Sequence, residues 1–184
     1  MRVRVVDLDE AATSQPHLAG LIEAGEAEYI DARDLAPRLR ILASRRAFRE
    51  LGTRLGEPAA ADEPEVLFFG SGDFHHLTAL FIQLHAEPLT VIHFDNHPDW
   101  VRYPTINCGS WVNLALRSEH VARFVTIGPC SVDLQHPELK FANLPAIREG
   151  RLAVFPWRSE PTTLWGAPIS TSGATTQDGL LSWR

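Results

Sequence analysis

LTVIHFDNHPDW, residues 89–100, passes from an apolar run into four ionisable side chains spaced two apart: His93, Asp95, His97 and Asp99. Side chains two apart share a face of an extended chain, whereas on a helix they fan out around the axis. Pro98 also disfavours a helical His97 by clashing with its backbone. A strand is therefore predicted over 89–95, with Asp95, His97 and Asp99 leaving its C-terminal end roughly to one side. Carboxylates held that close repel each other unless a cation sits between them. Oxygen and imidazole donors without thiolate suit Mn, Fe, Zn or Mg, and the mixed set favours the first three. His93 shares the face of Asp95 but lies inside the strand, and is read as a hydrogen-bonded supporting or core residue rather than a ligand.

Outward from this strand, extended and helical patterns alternate. VRVVDL (3–8), EVLFFG (65–70) and RFVTIG (123–128) are predicted strands by their β-branched and apolar content. EVLFFG is uniformly apolar, as buried parallel strands tend to be. A long helix is predicted over 35–56, where Leu35, Leu39, Leu42, Ala43, Phe48, Leu51 and Leu55 keep near-helical spacing and Gly56 with Pro58 stops the run. Its basic residues form the solvated face. Shorter helices are predicted over 77–86 and 110–118. Strand-then-helix repetition points to βαβ units in a single α/β domain over residues 1–184. The expected architecture is three-layer αβα, with helices on both faces of a mostly parallel doubly wound sheet in which the strands ending at Gly70 and Asp95 are neighbours.

In such sheets ligands bind off the carboxyl ends of the strands. GSGDFHH (70–76) follows one strand as DNHPD follows another, so His75 and His76 stand at the same end as Asp95, His97 and Asp99. Gly70 and Gly72 permit the sharp turn this needs. One of the two imidazoles, His75 or His76, is expected to converge with the three later residues on a common point.

Composition sets outer bounds. A chain of 184 residues with 45% hydrophobic and 22% charged residues fits one soluble globular domain with a sizeable core. No run approaches the ~20 apolar residues of a membrane span. MRVRVVDLDEAATSQ places two Arg in an alternating strand-like pattern, reaches acids within its first ten residues and does not read as a signal peptide, so a cytoplasmic location is expected. Cys108 and Cys130 show no C-x-x-C spacing, which argues against a disulfide scaffold or a thiolate zinc site. With 23 acids against 17 bases, the net charge of -6 disfavours a sequence-independent grip on nucleic acid. A small polar or cationic molecule fits better, and self-association stays open.

GSGDFHH followed by FDNHPDW resembles the first two metal motifs of the arginase and agmatinase (ureohydrolase) family, G-G-D-H-S and D-A-H-x-D. The likeness covers residues 65–128, with TIG at 126–128 similar to the strand that follows in those enzymes. It implies an arginase-like fold and a divalent metal, manganese first with zinc or iron as alternatives, in one or two ions. It also implies that Asp95 bridges two ions, that His97 binds one and Asp99 the other, and that the first motif adds His75 or His76 according to register. The implied activity is metal-assisted hydrolysis of a C–N bond in a small molecule. Two ions would acidify a bridging water for attack on an amidine or amide carbon, with Asp99 hydrogen-bonding the hydroxide in the catalytic role.

Two departures stand beside the likeness. Where the family places His-Gly after its second motif, INCGSW has Cys108 before Gly109, which counts against the usual proton relay of guanidine hydrolysis. The family's third motif, S-x-D-x-D, has no counterpart with D-x-D: after Gly128 the acids are Asp133, Glu138, Glu149, Glu160 and Asp178. A chain that stops short of that motif is expected, with negligible arginase or agmatinase activity by itself. If it is active, Asp133, Glu138 or Asp178 supplies the missing ligands. A non-catalytic metal- or ligand-binding relative is the second reading. A metallophosphoesterase is the third, since GDFHH and DNHPD echo that group's G-D and N-H-[DE] motifs although Asp7-Leu8-Asp9 lacks its opening D-x-H. Trp100 and Trp111 are expected to wall the site, and Trp157, Trp165 and Trp183 to cover surface.

Overall fold

The computed structural model describes residues 1–60 and 62–157. Its elements run β1 (Arg2–Asp7), α1 (Pro16–Glu23), β2 (Glu28–Asp31), β3 (Leu42–Ala43), α2 (Arg45–Leu55), β4 (Glu65–Phe69), α3 (Thr78–Leu84), β5 (Leu89–Phe94), β6 (Ile106–Asn107), α4 (Trp111–Ala115), β7 (Val121–Ile127), α5 (Leu144–Arg148) and β8 (Leu152–Phe155). They gather into two compact units, Met1–Glu87 with Thr105–Cys108, and Pro88–Pro104 with the described residues from Gly109 onward. The fold is mixed α/β, and both three-stranded sheets are parallel. No helix among the described residues is long and apolar enough to cross a membrane. Trp165 and Trp183, and Glu160 and Asp178, lie outside the described residues.

In the first unit β1 lies between β2 and β4, with Val5 opposite both Tyr29 and Phe68. Val5 is fully buried, and α1 brings Leu18, Leu21 and Ile22 onto the cluster it forms with Ala12 and Ala27. Pro16 opens that helix, where its missing N–H costs nothing. Arg4 is 2% exposed, which is tolerable only because its guanidinium meets Glu28 at 3.2 Å and Glu65 at 3.4 Å and donates to the Leu55 carbonyl.

The predicted helix over 35–56 is broken. A 3-10 turn covers Ala36–Arg38, Ile41 takes a left-handed φ of 62°, β3 pairs antiparallel with β6, and only Arg45–Leu55 is α-helical. The competing signals are local and tertiary. Pro37 sits in the turn, the Ser44 hydroxyl caps the new helix by accepting from Ala47 N at 3.2 Å, and Ile41 N donates to the Asp73 carbonyl at 2.8 Å. The apolar spacing survives across the break because Leu35, Leu39, Leu51 and Leu55 are all buried. β4 is likewise less enclosed than its apolar sequence suggests, since Val66 and Phe68 are each 37% exposed.

In the second unit β7 lies between β5 and β8, with His93 opposite Thr126 and Phe94 opposite Ile127. β5 alternates in burial: Val91 and His93 face inward, while Ile92 and Phe94 are exposed. The predicted pairing of the strands ending at Gly70 and Asp95 does not occur. β4 takes β1 as its partner and β5 takes β7, each inside its own unit. The helix predicted over 110–118 ends at Ala115, and α1, β2, α5 and β8 had no counterpart in the sequence reading.

Candidate metal centre

The second unit builds its site where β5 gives way to loop. Asp95 N still donates to the Ile127 carbonyl at 3.3 Å, and the Asp95 Oδ1 then accepts from His97 N at 2.8 Å, closing a turn at Asn96. Pro98 follows, and Asp99 adopts φ 47°, a left-handed conformation that an Asp tolerates better than most residues. That kink returns the Asp99 side chain to the sheet. It is 5% exposed, and its Oδ2 accepts from Trp111 Nε1 at 2.8 Å.

The donors gather around His93. Its Nε2 stands 3.5 Å from Asp95 Oδ2 and 3.7 Å from Asp99 Oδ2, while His97 Nδ1 stands 3.6 Å from Asp95 Oδ1. These separations exceed a good N–H···O bond, ~2.9 Å. They suit two ligands that each reach a shared ion at about 2.1 Å with a wide angle between them. The His93 ring is fixed by Trp111 and Phe124, edge-on at 4.9 and 5.9 Å between centroids, and its Nδ1 lies 3.4 Å from the buried Thr126 hydroxyl. A ligating imidazole ordinarily has such a partner on its second nitrogen, and the donor set fits a divalent ion. His93 is therefore a stronger candidate ligand than its position inside a strand suggested. The signal was present in the sequence as the two-residue period shared with Asp95.

Trp111 is 2% exposed and packs against both His93 and Asp99, while Trp100 is fully buried. The loop after β7 joins the same end of the sheet, because Cys130 N and Ser131 N both donate to the Asn96 carbonyl, at 2.9 and 3.1 Å. Ser131-Val132-Asp133 carries the first half of an S-x-D-x-D pattern, a signal that a search for D-x-D passes over. Asp133 is engaged locally, accepting from the Ser131 hydroxyl at 3.1 Å with Lys140 Nζ at 4.0 Å.

The first unit holds His75 and His76. Gly70, at φ 34°, makes the turn off β4, and a Cβ there would lie 2.6 Å from the Phe74 ring. The chain then enters a 3-10 turn over Gly72–Leu77. His75 Nδ1 lies 2.5 Å from the Gly72 carbonyl oxygen and Nε2 3.2 Å from that of Cys108. His76 is fully buried with Nδ1 3.5 Å from Cys108 Sγ. Burial, and then the neighbouring His75, push its pKa down to about 4, so it is neutral at physiological pH. Of the two, His75 has the more accessible ring, and His76 is a packed core imidazole.

No protein-family model matches the chain, and no solved structure matches it. An uncharacterized protein of Thermotoga maritima is 38% identical over 63 residues, a stretch that takes in 34% of this chain and 26% of that protein's length.

Proposed function

We propose that the chain is a divergent ureohydrolase-like hydrolase that uses a divalent metal, manganese first, to cleave a C–N bond in a small molecule. The observation that carries this reading is the meeting of the His93, Asp95 and Asp99 side chains at ligand-like separations beyond the end of a parallel strand. Asp95, His97 and Asp99 are the donors carried from the motif, and His93 is added from the geometry. An ion held there would polarise the scissile group and acidify water. The chain's own contribution is to hold Asp99 on Trp111, aimed as a hydrogen-bond acceptor, and to keep that pocket dry with aromatic rings. An arginase-like three-layer architecture, a small-molecule substrate and a cytoplasmic setting belong to the same proposal.

A second reading, a non-catalytic metal-binding relative, draws on Cys108. It stands where the resemblance calls for histidine, and its Sγ faces His76 Nδ1 at 3.5 Å and the Asp73 carbonyl at 3.6 Å. Purified protein loaded with manganese and offered guanidino, amidine and amide compounds separates the two. Release of urea or ammonia that Asp99→Asn abolishes supports hydrolysis. Tight manganese binding with no turnover of any compound supports the second reading.

A further inference from the structure

In the second unit β5 and β7 run parallel in a register that sets Thr126 directly opposite His93. Thr126 is fully buried, and its hydroxyl lies 3.4 Å from His93 Nδ1. The contact is at the long end for a hydrogen bond, yet among the described residues that hydroxyl meets no other donor or acceptor. A hydroxyl both donates and accepts, so it fits either tautomer of a neutral imidazole. Main-chain carbonyls, such as those beside His75, can only accept.

The other side of the ring chooses between the tautomers. His93 Nε2 stands 3.5 Å from Asp95 Oδ2 and 3.7 Å from Asp99 Oδ2. A lone pair turned on two carboxylates is repelled, whereas an N–H is attracted. With the proton on Nε2, Nδ1 becomes the acceptor and the Thr126 hydroxyl donates to it. That arrangement also spares a buried hydroxyl hydrogen from going without a partner. A ligating imidazole needs the reverse, with the Nε2 lone pair on the ion and the proton on Nδ1. Trp111 and Phe124, edge-on to the ring at 4.9 and 5.9 Å between centroids, oppose its rotation, so the proton and not the ring has to move. We propose that Thr126 is a positioning residue that lets His93 exchange tautomers in place. Its hydroxyl donates to Nδ1 in the metal-free chain and accepts from Nδ1–H when a divalent ion takes Nε2. The ring is neutral in both states: Nε2 gives a proton to solvent and Nδ1 takes one back. The proposal rests on the metal-dependent reading above.

Nitrogen-15 NMR of histidine-labelled protein, metal-free and then loaded with diamagnetic zinc, reads the tautomer of His93 directly, with its signals assigned against His93→Gln. The expected result is a proton on Nε2 without metal and on Nδ1 with zinc. Zinc titration of two variants reads the hydroxyl itself. Thr126→Val keeps the branched shape and removes the hydroxyl, and should bind zinc about tenfold more weakly, as when a ligating histidine loses its outer partner. Thr126→Ser restores the hydroxyl and should bind like the parent, which a merely packed threonine would not predict. A proton on Nδ1 in the metal-free chain, or one kept on Nε2 with zinc bound, overturns the proposal. So does a parent that binds zinc while Thr126→Val binds it undiminished, or while Thr126→Ser falls as far as Thr126→Val; these outcomes leave the metal reading standing. A parent that binds no zinc overturns that reading and the proposal with it.

Discussion

The two histidine-bearing loops spend the same residue types differently. In the first unit both ring nitrogens of His75 lie near main-chain carbonyls, and His76 is buried against a cysteine. In the second unit His93 and His97 turn their nitrogens to the carboxylates of Asp95 and Asp99. A carbonyl partner consumes an imidazole N–H and pins the ring. Two carboxylates around one imidazole leave negative charge over, and that surplus is what a cation answers. Motif letters alone do not separate these cases, but the identity of the partner atoms does.

The contrast makes the buried Arg4 and His76 of the first unit structural, and the sharpest way to break it is Arg4→Ala. Removing this buried guanidinium, which serves Glu28, Glu65 and the Leu55 carbonyl, should cost about 3–5 kcal/mol in urea unfolding. A loss under ~1 kcal/mol, the range of an exposed pair, would mean the charge is solvated. Next in size is the acid limb of stability. His76 has a folded pKa of about 4 against 6.5 when unfolded. The unfolded chain therefore binds the extra proton, and stability falls as pH drops from 6.5 through 4. The loss amounts to roughly 3 kcal/mol at full protonation. His76→Leu should flatten that limb, and an unchanged profile would show that the ring is not sealed.

Smaller effects belong to the second unit and its candidate site. Trp111→Phe removes the donor to Asp99 Oδ2 and should cost about 2 kcal/mol while weakening metal affinity, because the buried carboxylate loses its one indole partner. His97 is 52% exposed at its side chain, so His97→Ala should leave stability within ~0.5 kcal/mol. The same variant should still lower manganese affinity, which would separate a ligand from a solvated loop residue.

Strands β1, β4, β5 and β7 were the legible part of this chain, because β-branched and apolar runs such as VRVVDL and LTVIHFD declare an extended conformation without help from the rest of the fold, whereas the short β2, β3, β6 and β8 do not. Helix 35–56 misled for a physical reason: the same apolar spacing serves a turn, a short strand and a helix once Pro37 and the β3–β6 pairing intervene. Of the candidate site, the letters show the common period of Asp95, His97 and Asp99. For His93, nothing in sequence tells that its Nε2 faces two carboxylates while Thr126 stands behind it. The link between the Asn96 carbonyl and the loop carrying Asp133 is likewise a backbone contact that no residue pattern records.

The central claim is that the carboxylate–imidazole cluster after β5 governs metal binding and that the buried His76 does not. Electron paramagnetic resonance of free manganese, titrated into the parent chain and into Asp95→Ala, His76→Leu and His75→Ala, tests it most directly. The expected result is stoichiometric binding by the parent, loss of binding by about a hundredfold or more in Asp95→Ala, and parent-like binding in His76→Leu. His75→Ala reads out separately whether the first motif contributes a donor, as the family resemblance implies. Failure of the parent to bind manganese, zinc or iron, or an Asp95→Ala chain that binds as tightly as the parent, would contradict the account.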